Sequence, residues 1–199
     1  MTGGAEGSND GGSGDRPDEA EDGEAQGDSR AEEPTNQPHR FDRLPETAAD
    51  REVSGRATRT GVLEFLAERY GIPPARFDDH TFWERGAGKV WCFHGDLPSP
   101  IDVEGLGMTA LRTRQEHWKP TLEFAQRFGD AATRNVLHLS EPEARAFLAG
   151  HDQAIDWDGD WGYLLVTHDL AGGREPVGVG LYLHGELRSQ VPKGRRRDL

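Results

Sequence analysis

The stretch GYLLVTHDLAGGREPVGVGLYLHGELRSQVPKGRRRDL, residues 162–199, contains three apolar segments separated by turn residues. Residues 162–167, 177–182 and 186–191 have the composition of strands, and glycine-containing turns at 171–173 and 184–185 join them. The pattern predicts an antiparallel β-meander. A basic run follows the meander, although the whole chain has a formal net charge of -13.

The residues before this meander predict a mixture of helices and strands. Apolar side chains recur at helical spacing before Gly71, before Gly129 and between the capping-box sequence Ser140–Glu143 and Gly150. Apolar runs of strand length occur at 81–83, 89–94 and 135–139, and a longer extended segment with a phase slip at 105–107 covers 101–113. These signals predict an α+β protein with about three helices and seven or eight short strands.

The opening segment differs in composition from the rest. Residues 1–56 contain 15 Asp or Glu against six Arg, and Phe41, Leu44 and Val53 are their large apolar side chains. Such a segment buries too little apolar surface to offset the entropy of ordering it, so we predict that residues 1–56 are disordered. The folded part is then predicted to begin near Arg56.

The charged residues indicate the cellular environment of the protein. The lysines are Lys89, Lys119 and Lys193, so arginine supplies most of the positive charge of an acidic chain. We interpret this composition as that of a protein from the cytoplasm of a halophilic archaeon. The alternative is an ordinary acidic protein from a GC-rich genome. Because no apolar run reaches membrane-spanning length, no membrane segment or secretory signal is predicted.

Catalytic, metal and cofactor motifs are not recognisable. The run Asp156–Asp160 resembles the start of a calcium loop, but Trp161 and Thr167 occupy its essential Gly and Glu positions. Gly178 and Gly180 form a Gly-x-Gly inside a predicted strand, which favours either close backbone packing or a flat surface that admits a nucleotide. We therefore predict no catalytic residue, no metal site and no cofactor.

The basic run Lys193-Gly194-Arg195-Arg196-Arg197 is the main electropositive feature. A terminal charge run is often only a solvated end, but its position after a strand meander favours contact with phosphate. Arg188, Arg112, Arg114 and Lys119 are predicted to join it if the sheet curls. Trp157, Trp161 and Tyr182 are either platforms for bases or packing residues.

Several segments resemble a known family when taken together. They are GYLLV (162–166), PVGVGLYLHGELRS (176–189), VPKGRRRDL (191–199) and, upstream, GIP (71–73), KPT (119–121) and ATRNVLHLSEPEARAFLAG (132–150). In this order they resemble the C-terminal region of the NOL1/NOP2/Sun family of RNA cytosine methyltransferases, which contains a PUA domain. The resemblance covers roughly residues 60–199 and implies a PUA-like β pseudo-barrel over 119–199, preceded by a small α/β subdomain over 57–118.

The resemblance implies RNA binding without methyl transfer, because the family's catalytic domain, its two cysteines and its S-adenosylmethionine site have no counterpart here. It places the RNA-facing residues at Gly178, Gly180, Tyr182, Lys193, Gly194 and Arg195. The predicted function is a non-catalytic, cytoplasmic rRNA- or tRNA-binding protein of ribosome biogenesis or RNA modification, with a methyltransferase or assembly factor as a possible partner in trans. The alternatives are a protein–protein adaptor in ribosome assembly without RNA contact and a small enzyme with a scattered site.

Overall fold

The computed structural model of the protein describes residues 40–197, and the predicted disorder of residues 1–39 lies outside them. Five antiparallel strands form the first sheet in the order in which they occur along the chain. They are β1 (Phe41–Arg43), β2 (His80–Arg85), β3 (Lys89–His94), β4 (Met108–Arg112) and β5 (Lys119–Pro120). Gly86 and Gly88 both take positive φ in the β2–β3 turn, as their position in the predicted hairpin requires.

The second sheet also has five strands, in the order β6-β8-β9-β10-β7. They are β6 (Val136–His138), β7 (Gln153–Ala154), β8 (Gly162–Leu170), β9 (Gly173–Leu183) and β10 (Glu186–Ser189). Strands β8, β9 and β10 form the predicted antiparallel meander, whereas β6 pairs with β8 in parallel. The C-terminal stretch therefore supplies the centre of this sheet.

Three α-helices accompany the sheets: α1 (Arg59–Tyr70), α2 (Leu122–Phe128) and α3 (Glu141–Ala149). Helix α1 begins after Thr58, whose hydroxyl accepts from the amide of Gly61, and ends at Gly71 with φ 65°. Pro120 lies in β5, and Thr121 caps α2 by accepting from the amide of Phe124. The described residues thus confirm the α+β class, and none of their helices is long and apolar enough to cross a membrane.

Two large apolar cores lie on the two faces of the second sheet. The first core combines Leu66 of α1 and Phe124 of α2 with Val90 of the first sheet and Leu165 and Val179 of the second. The second core lies under α3. Its buried members are Leu137, Leu139, Ala144, Phe147, Leu164, Val166, Val177, Tyr182, Leu187 and Val191. Strands β8 and β9 are therefore buried on both faces.

The predicted start of the folded part near Arg56 is too late. Phe41 is fully buried, Leu44 is nearly so, and β1 pairs with β2. The Arg56 guanidinium, itself buried, donates to Glu84 at 3.0 Å and to Asp42 at 3.2 Å. Two apolar side chains and a buried ion-pair network therefore order residues that are too polar on average to predict a fold.

The extended segment expected over 101–113 is also shorter than predicted. Only Met108–Arg112 form a strand, and Ile101 pairs separately with Phe41. Leu106 instead packs with Phe41 and Trp83 on the outer face of the first sheet, so its burial explains the apolar pattern without a strand. The boundary expected between 118 and 119 would separate β5 from the first sheet, to which β5 is paired.

Cys92 is buried in β3 and behaves as a small apolar residue. Burial raises the pKa of its thiol to about 12, so the thiolate is not populated at neutral pH.

Substitution Ser140→Ala is expected to destabilise the protein by about 1 kcal/mol at pH 7, the usual effect of losing an N-cap. Glu143 accepts from the hydroxyl of Ser140 at 2.6 Å and from its amide at 2.8 Å, and these two bonds lower the pKa of Glu143. A lowered carboxyl pKa stabilises the fold above the unfolded pKa, and the effect is lost as the pH falls through the folded value. Urea unfolding of both proteins should show their difference shrinking in that range, and a difference that does not change with pH would contradict this assignment.

Candidate nucleic-acid interface

Three basic side chains lie side by side across one end of the first sheet, and we call Lys89, Arg112 and Lys119 the basic row. Lys89 is directly opposite Arg112, and Arg112 is directly opposite Lys119. Directly opposed residues point to the same face with Cβ atoms roughly 5 Å apart, and like charges in this position destabilise a sheet. Within residues 40–197, Lys89 and Arg112 have no carboxylate at ion-pair distance. The row is therefore an uncompensated electropositive strip.

Lys119 joins the basic row to the C-terminal segment. Its Nζ donates to Oε1 of Gln190 at 2.6 Å and lies 5.5 Å from the centre of the Tyr163 ring. Partial burial, and after it the nearby Arg112 guanidinium, lower the pKa of Lys119. An anion at this position would relieve the repulsion between the two cations. The contact brings together parts of the sequence that are 71 residues apart.

Arg114 extends the positive surface towards the β2–β3 turn. Its side chain packs against Gly88, where a Cβ atom would overlap it. A shallow pocket of about 400 Å³ is lined here by Arg85, Lys89, Trp91 and Arg114, together with residues 86 and 87. The indole Nε1 of Trp91 is buried and has no hydrogen-bond partner in the described part of the chain. The pocket thus brings cationic groups together, which suits an anion.

The C-terminal basic run is divided between packing and solvent. Lys193–Arg195 form a 3-10 turn, and the guanidinium of Arg195 pairs with Glu123 of α2 at 2.6 Å. Arg196 lies against Gly150 and donates to the carbonyl of Val191, so its side chain anchors the segment. Lys193 and Arg197 are exposed, and Gly194 has open space around it. The run therefore presents Lys193, Arg195 and Arg197 outward.

Arg188 is exposed on β10, but its charge is offset by its own strand. Its Nε donates to Glu186 at 2.7 Å, and this bond raises the pKa of Arg188, with Asp152 contributing further. Within residues 40–197, no hydrogen bond or ion pair joins Arg188 to the basic row or to Lys193–Arg197.

Gly178, Gly180 and Tyr182 are all buried. Burial does not fit the RNA-facing role expected of them. A Cβ on Gly178 would lie 2.7 Å from Cε1 of Phe147, and one on Gly180 would overlap Leu187. The Tyr182 hydroxyl donates to the carbonyl of Ile155 at 3.1 Å. Of the two readings of the glycines, close packing is therefore the one that the structure supports.

Lys89 and Trp91 were not among the predicted site residues. Both lie in a correctly predicted strand, but their proximity to Arg112 and Arg114 depends on the register of β3 with β4, which includes an irregularity between Val90 and Trp91. The sequence signal that could have identified Lys89 as a site residue was its position at the end of a strand. Within residues 40–197, no group of three or more His, Cys, Asp or Glu could hold a metal ion.

Models of two protein families match parts of this chain. Residues 134–197 match the PUA domain of methyltransferase RsmF, and residues 26–107 match a family of unknown function, DUF7122. The chain is also similar to Ribosomal RNA small subunit methyltransferase F of Aeromonas salmonicida (strain A449), with 23% identity over 113 residues. That alignment covers 55% of this chain and 23% of the relative.

The C-terminal part of the chain therefore contains a PUA domain that resembles the C-terminal region of Sun-family methyltransferases. The second sheet, α3 and the C-terminal basic run lie within residues 134–197.

Substitution Gly178→Ala is expected to lower the free energy of unfolding by about 1–3 kcal/mol, the usual cost of overpacking. Because the new methyl group would meet the Phe147 ring, Phe147→Leu should cost less in the Gly178→Ala background than alone. Urea unfolding of the single and double variants measures this coupling. Gly172→Ala, at an exposed position with open space, is the control. Unchanged stability with weakened RNA binding in Gly178→Ala would instead favour an RNA-facing glycine.

Proposed function

We propose that the protein binds ribosomal RNA, through the basic row and the outward-facing side chains of the C-terminal basic run, and contributes to rRNA modification. The observation that carries the proposal is the contact from Lys119 to Gln190, because it makes the two basic regions neighbours. The name of the similar Aeromonas protein points to small-subunit rRNA as the first RNA to test.

The charges support an RNA ligand more than a protein ligand at this surface. Unpaired like charges in directly opposed strand positions cost stability, and a phosphate backbone would neutralise them. Arginine can bind phosphate with two parallel hydrogen bonds, so its predominance suits recognition in concentrated salt, where simple ion pairing weakens. We further propose that the setting is a salt-rich, archaeal cytoplasm, as the composition indicates.

The proposed role is binding without methyl transfer by this chain. Outside the PUA region, the family match is to a family of unknown function and not to a methyltransferase domain. A methyltransferase or ribosome-assembly factor would then act in trans on the RNA that this protein holds. We also propose a division at 118/119 into an α/β subdomain over 57–118 and a PUA-like domain over 119–199.

The double substitution Lys89→Gln/Arg112→Gln is expected to weaken binding to small-subunit rRNA at least about tenfold at moderate salt. It should also reduce the slope of log K against log salt by about 1–2, because up to two phosphate contacts are removed. Filter binding over a series of KCl concentrations measures both quantities. Both side chains are exposed, so folding should be retained, and circular dichroism checks this.

Arg145→Gln/Arg174→Gln is the matched control, because it removes the same charge from exposed positions on α3 and β9. Equal losses in the two double variants would indicate nonspecific attraction and would count against the basic row. Substitution Lys193→Gln/Arg197→Gln tests the C-terminal run in the same assay. If the unmodified protein retains neither rRNA nor tRNA at any salt concentration, the adaptor alternative is favoured.

A further inference from the structure

A second recognition surface lies between α1 and the start of β8. This cleft has a volume of about 590 Å³. Its aromatic lining consists of Phe65, His117, Trp118, Trp161 and Tyr163. We call it the aromatic cleft. None of the residues in the proposed RNA surface lines it, although Lys119 lies behind the Tyr163 ring.

Trp161 is the most unusual side chain of the cleft. It is 59% exposed and contacts the edge of the His117 ring at a centroid distance of 4.8 Å. An exposed indole leaves a large apolar surface in water, which is unfavourable. Within residues 40–197, Trp161 belongs to none of the apolar cores, so it has the character of a binding residue.

The polar lining of the cleft is acidic. Glu64 and Glu68 lie one turn apart on α1, and Glu116 lies in the loop opposite them. None of these three carboxylates has an ion-pair partner in the part of the chain that the structure describes. Like charges four residues apart on a helix destabilise it. The cleft therefore holds uncompensated negative charge beside aromatic faces.

The wall that carries Trp161 is held in place before any ligand binds. Arg69 donates to the carbonyls of Trp161 at 2.8 Å and Tyr163 at 3.2 Å, and it pairs with Asp160 at 3.3 Å. Asn135, which has φ 52°, also donates to Asp160. These bonds engage Arg69, the arginine that lines the cleft in the described part of the chain, and they reduce the ordering cost of binding.

Aromatic faces surrounded by carboxylates select cations, because the ring quadrupole and the carboxylates both attract positive charge. The same carboxylates repel a phosphate backbone, so an RNA strand fits this cleft poorly. Residues 1–39 of the chain are also a poor occupant, since they contain eleven Asp or Glu and two Arg. From this charge complementarity, we propose that the aromatic cleft binds an arginine-rich segment of a protein partner.

Arginine suits the cleft better than lysine or a small single cation. A guanidinium group is planar, so it can stack on Trp161 while its N–H groups bond a carboxylate. Three unpaired carboxylates line the cleft, which favours several cations on one chain. The proposal is independent of the RNA surface, and a failure of one leaves the other intact.

The test uses the full chain and a fluorescent peptide of alternating arginine and glycine, with fluorescence anisotropy at physiological ionic strength. We expect saturable binding that Trp161→Ala weakens at least about tenfold, the loss typical of an aromatic hot spot. The double variant Glu64→Gln/Glu68→Gln should show a similar loss. A lysine–glycine peptide of equal length should bind more weakly than the arginine peptide because an ammonium group does not stack.

Matched controls separate the cleft from general acidity. Glu141→Gln/Glu175→Gln removes two exposed carboxylates elsewhere and should change peptide binding less than about twofold, since surface charges act weakly at a distance. Lys89→Gln/Arg112→Gln should also leave it unchanged. Equal losses in the two glutamate variants would overturn the proposal. A loss of single-stranded RNA binding in Trp161→Ala with peptide binding retained would also overturn it. Self-association of the free chain that Trp161→Ala abolishes would overturn it as well.

Discussion

The burial of both faces of the β8–β9 strand pair is the constraint on which the rest of the structure depends. Leu165 and Val179 face the core shared with the first sheet, whereas Leu164 and Val166 face the core under α3. A strand pair in this position must admit neighbours closely on each side. Gly178 and Gly180 allow this, because Phe147 and Leu187 occupy the space that side chains there would need. The glycines that look permissive for a ligand are thus required for packing.

This sheet also determines where the charged surfaces lie. Residues 160–163 lead into β8 and form one wall of the aromatic cleft, whereas Gln190, just beyond β10, receives the hydrogen bond from Lys119. Tyr163 lies between the two regions, with the Lys119 ammonium on its ring and the cleft beside it. Surfaces of opposite charge can remain adjacent because each is attached to a different, rigid part of the same fold.

The sequence was most informative where local chemistry decides the structure. Helix periodicity with Gly71 and Gly150 at the C-termini located two helices, and the Ser140–Glu143 motif located the start of one. The glycines at its turns predicted the C-terminal β-meander. Composition averaged over 56 residues was misleading, because Phe41, Leu44 and Arg56 are ordered by contacts with β2 and with residues distant in sequence. Leu106 is likewise buried, and Ile101 half-buried, without forming a strand.

By itself the sequence determined the α+β class, the C-terminal meander and the resemblance to a PUA domain, because each depends on short-range patterns of apolar, glycine and charged residues. It also identified Arg112, Arg114, Lys119 and the C-terminal run as candidates. Only the tertiary structure decided which of these are neighbours. Strand register places Lys89 beside Arg112, burial removes Gly178, Gly180 and Tyr182 from the surface, and the packing of α1 against β8 creates the aromatic cleft. These are long-range contacts, which no local pattern specifies.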